Sequence, residues 1–403
     1  MRSGFIFAVV VIAMFAGCGG DPEVTRNDLP YDPDIQRPDV SGDVLTGDDI
    51  PIRDGEDQDV TGPQDVAGTD TNGGDTAGTD TPAVGDAIGQ DTTVPQDAVQ
   101  PQDTNEPGDN GTGDPDVVIT PIPFACASGK TVVDGVNKSW TVAGKTREFT
   151  VKFPDNPDGK PVSVIFVYHG FGDSVANFMK FFGPNPDADP DFPFVLVYPK
   201  SLALMPYGAD KGIEWTILNS QSGDNNLDAK LFEEILGCLD DTVTSGISDV
   251  FVFGFSAGAI FGNLLHSRYP DLVRSVMTMS GAWFNDDDTV KGVNTMGMAT
   301  LGWDDLDNGG GTVFMTHGGT NDTYGSMGIT IIDFEKSAGF AVPHLTGHDR
   351  TVIDCPHTSG HTNHPGIGTS AVIRYFKDHR GGVISPWVSG GLPAVYPEGC
   401  EIK

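Results

Sequence analysis

The chain has 403 residues, with 23 Lys and Arg against 57 Asp and Glu, for a formal net charge of −34. Residues 21–120 hold 25 of the acidic side chains and only three arginines, and the 283 residues beyond them still sum to −13. This balance excludes nucleic acid as a partner, because phosphate neutralisation needs clustered Lys and Arg and no basic stripe occurs anywhere.

The first elements in chain order concern placement. Arg2 supplies a positive start, Phe5 to Phe15 form an unbroken apolar run, and the small residues Ala16-Gly17-Cys18 follow, which is the pattern of an export signal. The run is too short to span a bilayer as a mature helix. Phe-Ala-Gly-Cys resembles the bacterial lipobox, so residues 1–17 are expected to be removed and Cys18 to become a lipid-modified first residue. Several acyl chains hold a protein on a membrane far more firmly than one. The expected location is extracytoplasmic, as a bacterial membrane-anchored lipoprotein at the cell surface or in the periplasm.

Residues 18–123 form an acidic low-complexity segment. Ala67-Gly68-Thr69-Asp70-Thr71 recurs as Ala77-Gly78-Thr79-Asp80-Thr81, and Pro-Gln-Asp begins at Pro63, Pro95 and Pro101. Such a composition buries too little apolar surface to offset the entropy of ordering it, so a disordered tether is expected. As a flexible coil it would span about 55 Å root mean square. The Asp-rich units lack the spacing that arranges ligands around calcium.

Residues 124–403 are expected to fold as one domain. Strands are predicted over Thr146–Phe153, Val162–His169, Phe194–Tyr198, Val250–Gly254, Ser275–Met279, Thr312–Thr316 and Arg350–Ile353. Helices are predicted over Ser174–Phe182, Leu227–Thr242, Ala257–Tyr269, Ile329–Ser337 and Thr369–His379. Strands spaced by helices imply an α/β fold with a mostly parallel central sheet covered on both faces. The run VSVIFVY from Val162 reads as its central buried strand. Besides Cys18 there are four cysteines, Cys126, Cys238, Cys355 and Cys400, an even number that favours two disulfides in an oxidising compartment. The expected pairing is Cys126 with Cys400, tying the ends of the domain, and Cys238 with Cys355. No C-x-x-C pair occurs, and no metal site is expected.

Chemistry gathers at the strand ends. Phe251-Val252-Phe253 runs into Gly254-Phe255-Ser256-Ala257-Gly258 and then an apolar helix, the strand, turn and helix context of a nucleophile elbow with Ser256 at its tip. His169-Gly170-Phe171-Gly172 closes an earlier strand, so the backbone N–H groups of Phe171 and Ala257 are the candidate oxyanion donors. His317-Gly318-Gly319-Thr320-Asn321-Asp322 follows another strand and supplies Asp322 as the acid. The base lies in Ser359-Gly360-His361-Thr362-Asn363-His364, with His361, His364 and the nearby His357 as alternatives. His317 is read as a loop-holding residue, and His344 and His348 as surface residues.

These segments, HGFGDSVANF, VFGFSAGAIFGNLL, RYPDLVRSVMTMSG, HGGTND and SGHTNHPG, resemble the polyhydroxybutyrate-depolymerase-like and feruloyl-esterase-like branch of the α/β-hydrolases over roughly residues 125–380. The resemblance implies Ser256 as nucleophile, Asp322 as acid and His361 as base, and it makes Trp215, in Glu214-Trp215-Thr216, a substrate contact or a core residue. Two positions depart from the family pattern: Asp322 lies five residues after His317 where four is usual, and Asn363-His364 stands where one Trp is usual. The expected activity is cofactor-free hydrolysis of a carboxylic ester, polymeric substrates included, by a monomeric serine esterase. The competing expectation is a surface binding or adhesion protein on a catalytically silent hydrolase fold.

Overall fold

The chain divides into two units, Met1–Gln100 and Pro101–Lys403. The computed structural model describes residues 118–403 apart from 157, 206–211, 219–224, 287–288, 294–302, 304–305, 308, 327 and 382–383. The expected export signal, Cys18 and all of the acidic segment before residue 118 lie outside the described residues.

The second unit is built on a nine-stranded sheet. Its strands in chain order are β1 (Gly135–Val142), β2 (Lys145–Lys152), β3 (Val162–Tyr168), β4 (Phe194–Pro199), β5 (Ile247–Phe255), β6 (Ser275–Met279), β7 (Thr312–His317), β10 (Thr351–Pro356) and β11 (Glu401–Ile402), while β8 (Thr323–Ser326) and β9 (Ile329–Asp333) make a separate hairpin. The spatial order is β1-β2-β4-β3-β5-β6-β7-β10-β11. Pairing is parallel from β4 through β10 and antiparallel at β1/β2, β2/β4 and β10/β11. The helices are α1 (Val175–Phe181), α2 (Leu227–Thr242), α3 (Ala257–Arg268), α4 (Phe334–Gly347), α5 (Thr369–Asp378) and the short α6 (Trp387–Gly390).

Every side chain of β3 is buried. Successive residues of a strand point to opposite faces, so a strand buried throughout needs cover on both sides. Val164, Phe166 and Tyr168 enter one core with residues of α2, α3 and α4, whereas Ile165 and Val167 enter another with residues of α1 and α5. The expected two-sided α/β architecture is therefore present. Among the described residues no helix is long and apolar enough to cross a membrane.

Helix starts follow local capping chemistry. Ser174 caps α1 by accepting from Asn177 N, and Asn226 caps α2 by accepting from Asp228 N and Ala229 N. Asp228, in the first turn of α2, forms a buried ion pair with Arg147 of β2 and accepts both the N–H and the hydroxyl of Thr216 at 2.7 Å. That junction pins the segment containing Glu214, Trp215 and Thr216 to the helix below it.

Three expectations are corrected. Ile329–Ser337 is not one helix: the β-branched run Ile329–Asp333 pairs with Thr323–Ser326, and α4 begins only at Phe334, where the Asp333 carboxylate caps it through Lys336 N. The strand β1, absent from the sequence reading, has its alternation broken by a bulge between Asn137 and Trp140, with Ser139 at φ 61°. The disulfides are Cys126–Cys238 and Cys355–Cys400, not Cys126–Cys400 and Cys238–Cys355. The segment around Phe124 lies directly on α2, where a Cβ at Gly237 would approach Phe124 O to 2.8 Å, so Cys126 meets Cys238. Cys355 on β10 meets Cys400 because β11, which begins at Glu401, pairs with β10.

Candidate active site

Ser256 sits between β5 and α3 with φ 54° and ψ −121°. This is a left-handed backbone setting that a non-glycine residue adopts only under constraint from its surroundings. The flanking glycines are a steric requirement. A Cβ at Gly254 would lie 2.5 Å from Gly258 O, and one at Gly258 would lie 2.2 Å from Tyr168 O. Strand, turn and helix can approach this closely only without those side chains, and the approach leaves the serine at the C-terminal edge of the sheet.

His361 Nε2 lies 2.9 Å from Ser256 Oγ, and His361 Nδ1 lies 2.6 Å from Asp322 Oδ1. The other oxygen, Asp322 Oδ2, accepts from Gly318 N at 2.6 Å and from Ser280 Oγ at 2.8 Å. Asp322 is fully buried. The structure thus brings the three residues together in one hydrogen-bonded chain, from the ends of β5, β7 and β10. The two loops that carry acid and base are stitched together as well: Gly360 N donates to Gly318 O and His357 N donates to His317 O. A Cβ at Gly318 would fall 1.9 Å from Gly360 O. Between His317 and Asp322 the chain makes a 3-10 turn over Gly319–Asn321.

The imidazole of His361 is held between two rings. Phe334 stacks on it at 4.7 Å and 17°, and Phe255 flanks it at 5.1 Å. Phe334 is itself tied to the acid, since its N–H donates to Asp322 O after the β8–β9 hairpin returns. His357 and His364, the alternative bases, face each other at 4.8 Å and hydrogen-bond Ser359 N and Gly366 N through their Nδ1 atoms. Burial holds both imidazoles below the ordinary histidine range. His317 packs beside Asp354, 3.6 Å from its carboxylate, and His344 in the last turn of α4 and His348 at its C-cap are half-buried rather than on the surface.

The turn carrying Phe171 lies beside the serine: a Cβ at Gly170 would be 3.4 Å from Ser256 Cβ. Ala257 opens α3, where backbone N–H groups have no intrahelical partner. Phe171 exposes 38% of its surface, and its ring meets that of Tyr324 on β8 at 5.8 Å, giving the site an aromatic flank. Trp215 is not part of that surface. It is fully buried against Tyr168 and Phe261, and its indole N–H donates to His169 O at 2.9 Å. Sequence reasoning did not find Ser280, Phe334, Phe255 or Tyr324. Only the aromatic residues next to the motif turns could have pointed to the last three. Among the described residues no group of three or more His, Cys, Asp or Glu is placed to hold a metal ion.

Comparison with known proteins agrees with this architecture. The phospholipase/carboxylesterase family model matches residues 151–301. Feruloyl esterase D of Neurospora crassa is 28% identical over 163 residues, which are 39% of this chain and 53% of that protein, so the chain spans about half the length of the curated relative it matches. The solved structure of native sOPH superposes with a TM-score of 0.57 at 18% identity, covering 70% of this chain and 97% of that one. Native pOPH gives 0.56 at 17% identity, covering 70% and 96%. The chain has the α/β-hydrolase fold, which these solved structures share, and is similar in sequence to feruloyl esterase D over part of its length.

Proposed function

We propose that the chain is an exported serine esterase that hydrolyses carboxylic esters. The observation that carries this reading is the continuous hydrogen-bonded path from Ser256 through His361 to the buried carboxylate of Asp322. His361 Nε2 accepts the Ser256 proton as Oγ attacks the ester carbonyl carbon. Asp322, whose second oxygen is already engaged by Gly318 and Ser280, keeps Nδ1 protonated and stabilises the imidazolium. The N–H groups of Phe171 and Ala257 receive the developing oxyanion. The proton on Nε2 passes to the departing alkoxide, and a water molecule, deprotonated in turn by His361, releases the acid and restores Ser256.

The substrate class that fits is an ester of a polysaccharide, feruloyl or acetyl, or a polyhydroxyalkanoate oligomer, with Phe171 and Tyr324 as the apolar flank beside the serine. The two disulfides suit an extracytoplasmic compartment. Lipid attachment at Cys18, with residues 18–123 as an acidic tether, would hold a monomeric catalytic domain of residues 124–403 away from the membrane. The reading is tested with p-nitrophenyl acetate and a fluorophosphonate probe. Wild-type protein is expected to turn over the ester and to be labelled at Ser256, and Ser256→Ala to lose both while keeping its melting temperature. A folded wild-type protein that neither hydrolyses nor labels would instead be a silent hydrolase fold that binds its ligand.

A further inference from the structure

We infer that Glu214 is a positioning residue that, with Trp215, sets the geometry of the oxyanion turn His169–Gly172; the inference rests on the esterase reading and assigns a role which that reading leaves open. Glu214 is 4% exposed, and its carboxylate is turned inward. Oε2 accepts from Gly172 N at 3.1 Å, and Oε1 accepts from the hydroxyl of Ser201. The next residue reaches the other end of the same turn, where Trp215 Nε1 donates to His169 O at 2.9 Å. Two consecutive side chains therefore grip the four-residue turn at its first carbonyl and its last N–H. Phe171 lies between those two grips.

The grip is fixed from below. Thr216 N and Oγ1 both donate to Asp228 Oδ2 at 2.7 Å, and Asn226 Nδ2 donates to Thr216 O at 2.7 Å. Glu214 also bridges Leu204, donating its N–H at 2.8 Å and accepting at 3.2 Å. Its φ is 63°, a left-handed setting unusual for a long side chain. A strained, buried acid is retained where its neighbours over-determine it, and such outliers cluster at functional sites. Charge does not explain the choice, since a carboxylate near a developing oxyanion opposes it electrostatically. Hydrogen-bond geometry does: the side chain needs an acceptor oxygen for a backbone N–H and a second polar atom to pair with the Ser201 hydroxyl.

The test separates this role from general stability. Glu214→Gln keeps an acceptor for Gly172 N, and Ser201 Oγ can accept from the new amide, so it is expected to retain kcat within about threefold. Glu214→Ala frees the turn and is expected to lower kcat about 10- to 100-fold with KM unchanged, because the lost contact serves only the transition state. Trp215→Phe keeps the ring, removes the N–H and is expected to act in the same direction.

The discriminating readout is affinity for an aryl trifluoromethyl ketone. Ser256 Oγ adds to its carbonyl carbon, the hydroxyl proton passes to His361, and the carbonyl oxygen becomes an oxyanion held by the turn. Inhibitor affinity of Glu214→Ala is expected to fall in parallel with kcat/KM, at an unchanged folded fraction. Loss of activity with inhibitor affinity intact would overturn the inference, as would an Ala variant with wild-type kcat or a Gln variant as impaired as Ala. A wild-type protein without activity or labelling would overturn the esterase reading itself, a separate outcome.

Discussion

Asp322→Asn is the perturbation whose consequence the geometry specifies most closely. The carboxylate is fully buried, and its two oxygens are not equivalent. Oδ2 accepts from two donors, Gly318 N at 2.6 Å and Ser280 Oγ at 2.8 Å, whereas Oδ1 faces His361 Nδ1 at 2.6 Å. An asparagine here must place its carbonyl oxygen where Oδ2 was, because an amide NH2 opposite a backbone N–H would set donor against donor. Its NH2 then points at His361 Nδ1, which must become an acceptor. The proton moves to Nε2 and faces Ser256 Oγ, so the imidazole can no longer take the serine proton. The wrong tautomer in a comparable arrangement costs about 10⁴ in kcat, or about 5.5 kcal/mol of barrier. Both donors to the former Oδ2 position stay satisfied, so the fold should persist. The assay is kcat/KM for p-nitrophenyl acetate at neutral pH, with thermal unfolding of the same samples. An Asn variant that melts like wild type and keeps its activity within about tenfold would refute the argument that Asp322 sets the tautomer.

Two further predictions concern stability. His266 is held neutral by burial and by the Arg350 charge, and His379 by burial, each pushed down to about 4. Their folded values lie below the unfolded value of about 6.5, so the stability they contribute is fully present above that pH and is lost as pH falls toward 4, by on the order of 3 kcal/mol for each. Urea midpoints should therefore drop between neutral pH and pH 4.5; a flat profile across that window would contradict the prediction. For the disulfides, non-reducing peptide mapping should recover Cys126–Cys238 and Cys355–Cys400, and recovery of Cys126–Cys400 would reverse the pairing. Replacing Cys355 and Cys400 together by Ser opens a loop of 45 residues, which the chain-entropy model values at about 4 kcal/mol, readable as a lowered urea midpoint.

The parts of the fold that were legible in sequence are those where one periodic signal decides the structure. VSVIFVY reads as a strand covered on both faces, and Leu227–Thr242 reads as one helix, as both are found. The parts that were not legible depend on partners distant in the chain. Ile329–Asp333 is a strand because Thr323–Ser326 lies opposite it, and β5 starts at Ile247 through buried polar residues, with Ser163 Oγ 3.1 Å from Ser248 Oγ. The cysteine pairing is of the same kind. It follows from where α2 and β11 pack, and four cysteines in sequence are compatible with three connectivities.

The site divides along the same line. Ser256, Asp322 and His361 occupy turns whose chain order and glycines can be read one segment at a time, and of the three candidate histidines it is His361 that lies within hydrogen-bonding distance of both Ser256 and Asp322. The groups that hold those residues have no such local mark. Ser280, just after β6, reaches Asp322 across 42 positions, and Glu214 reaches Gly172 across the same number. Trp215 was visible as an aromatic residue, but its indole is fully buried and donates to His169 O beneath the His169–Gly172 turn. A motif identifies atoms that react, because reaction requires particular residue types at particular turns. Support can come from any donor or acceptor that arrives at the right distance, which is why Glu214 becomes evident only once the turn and its brace are seen together.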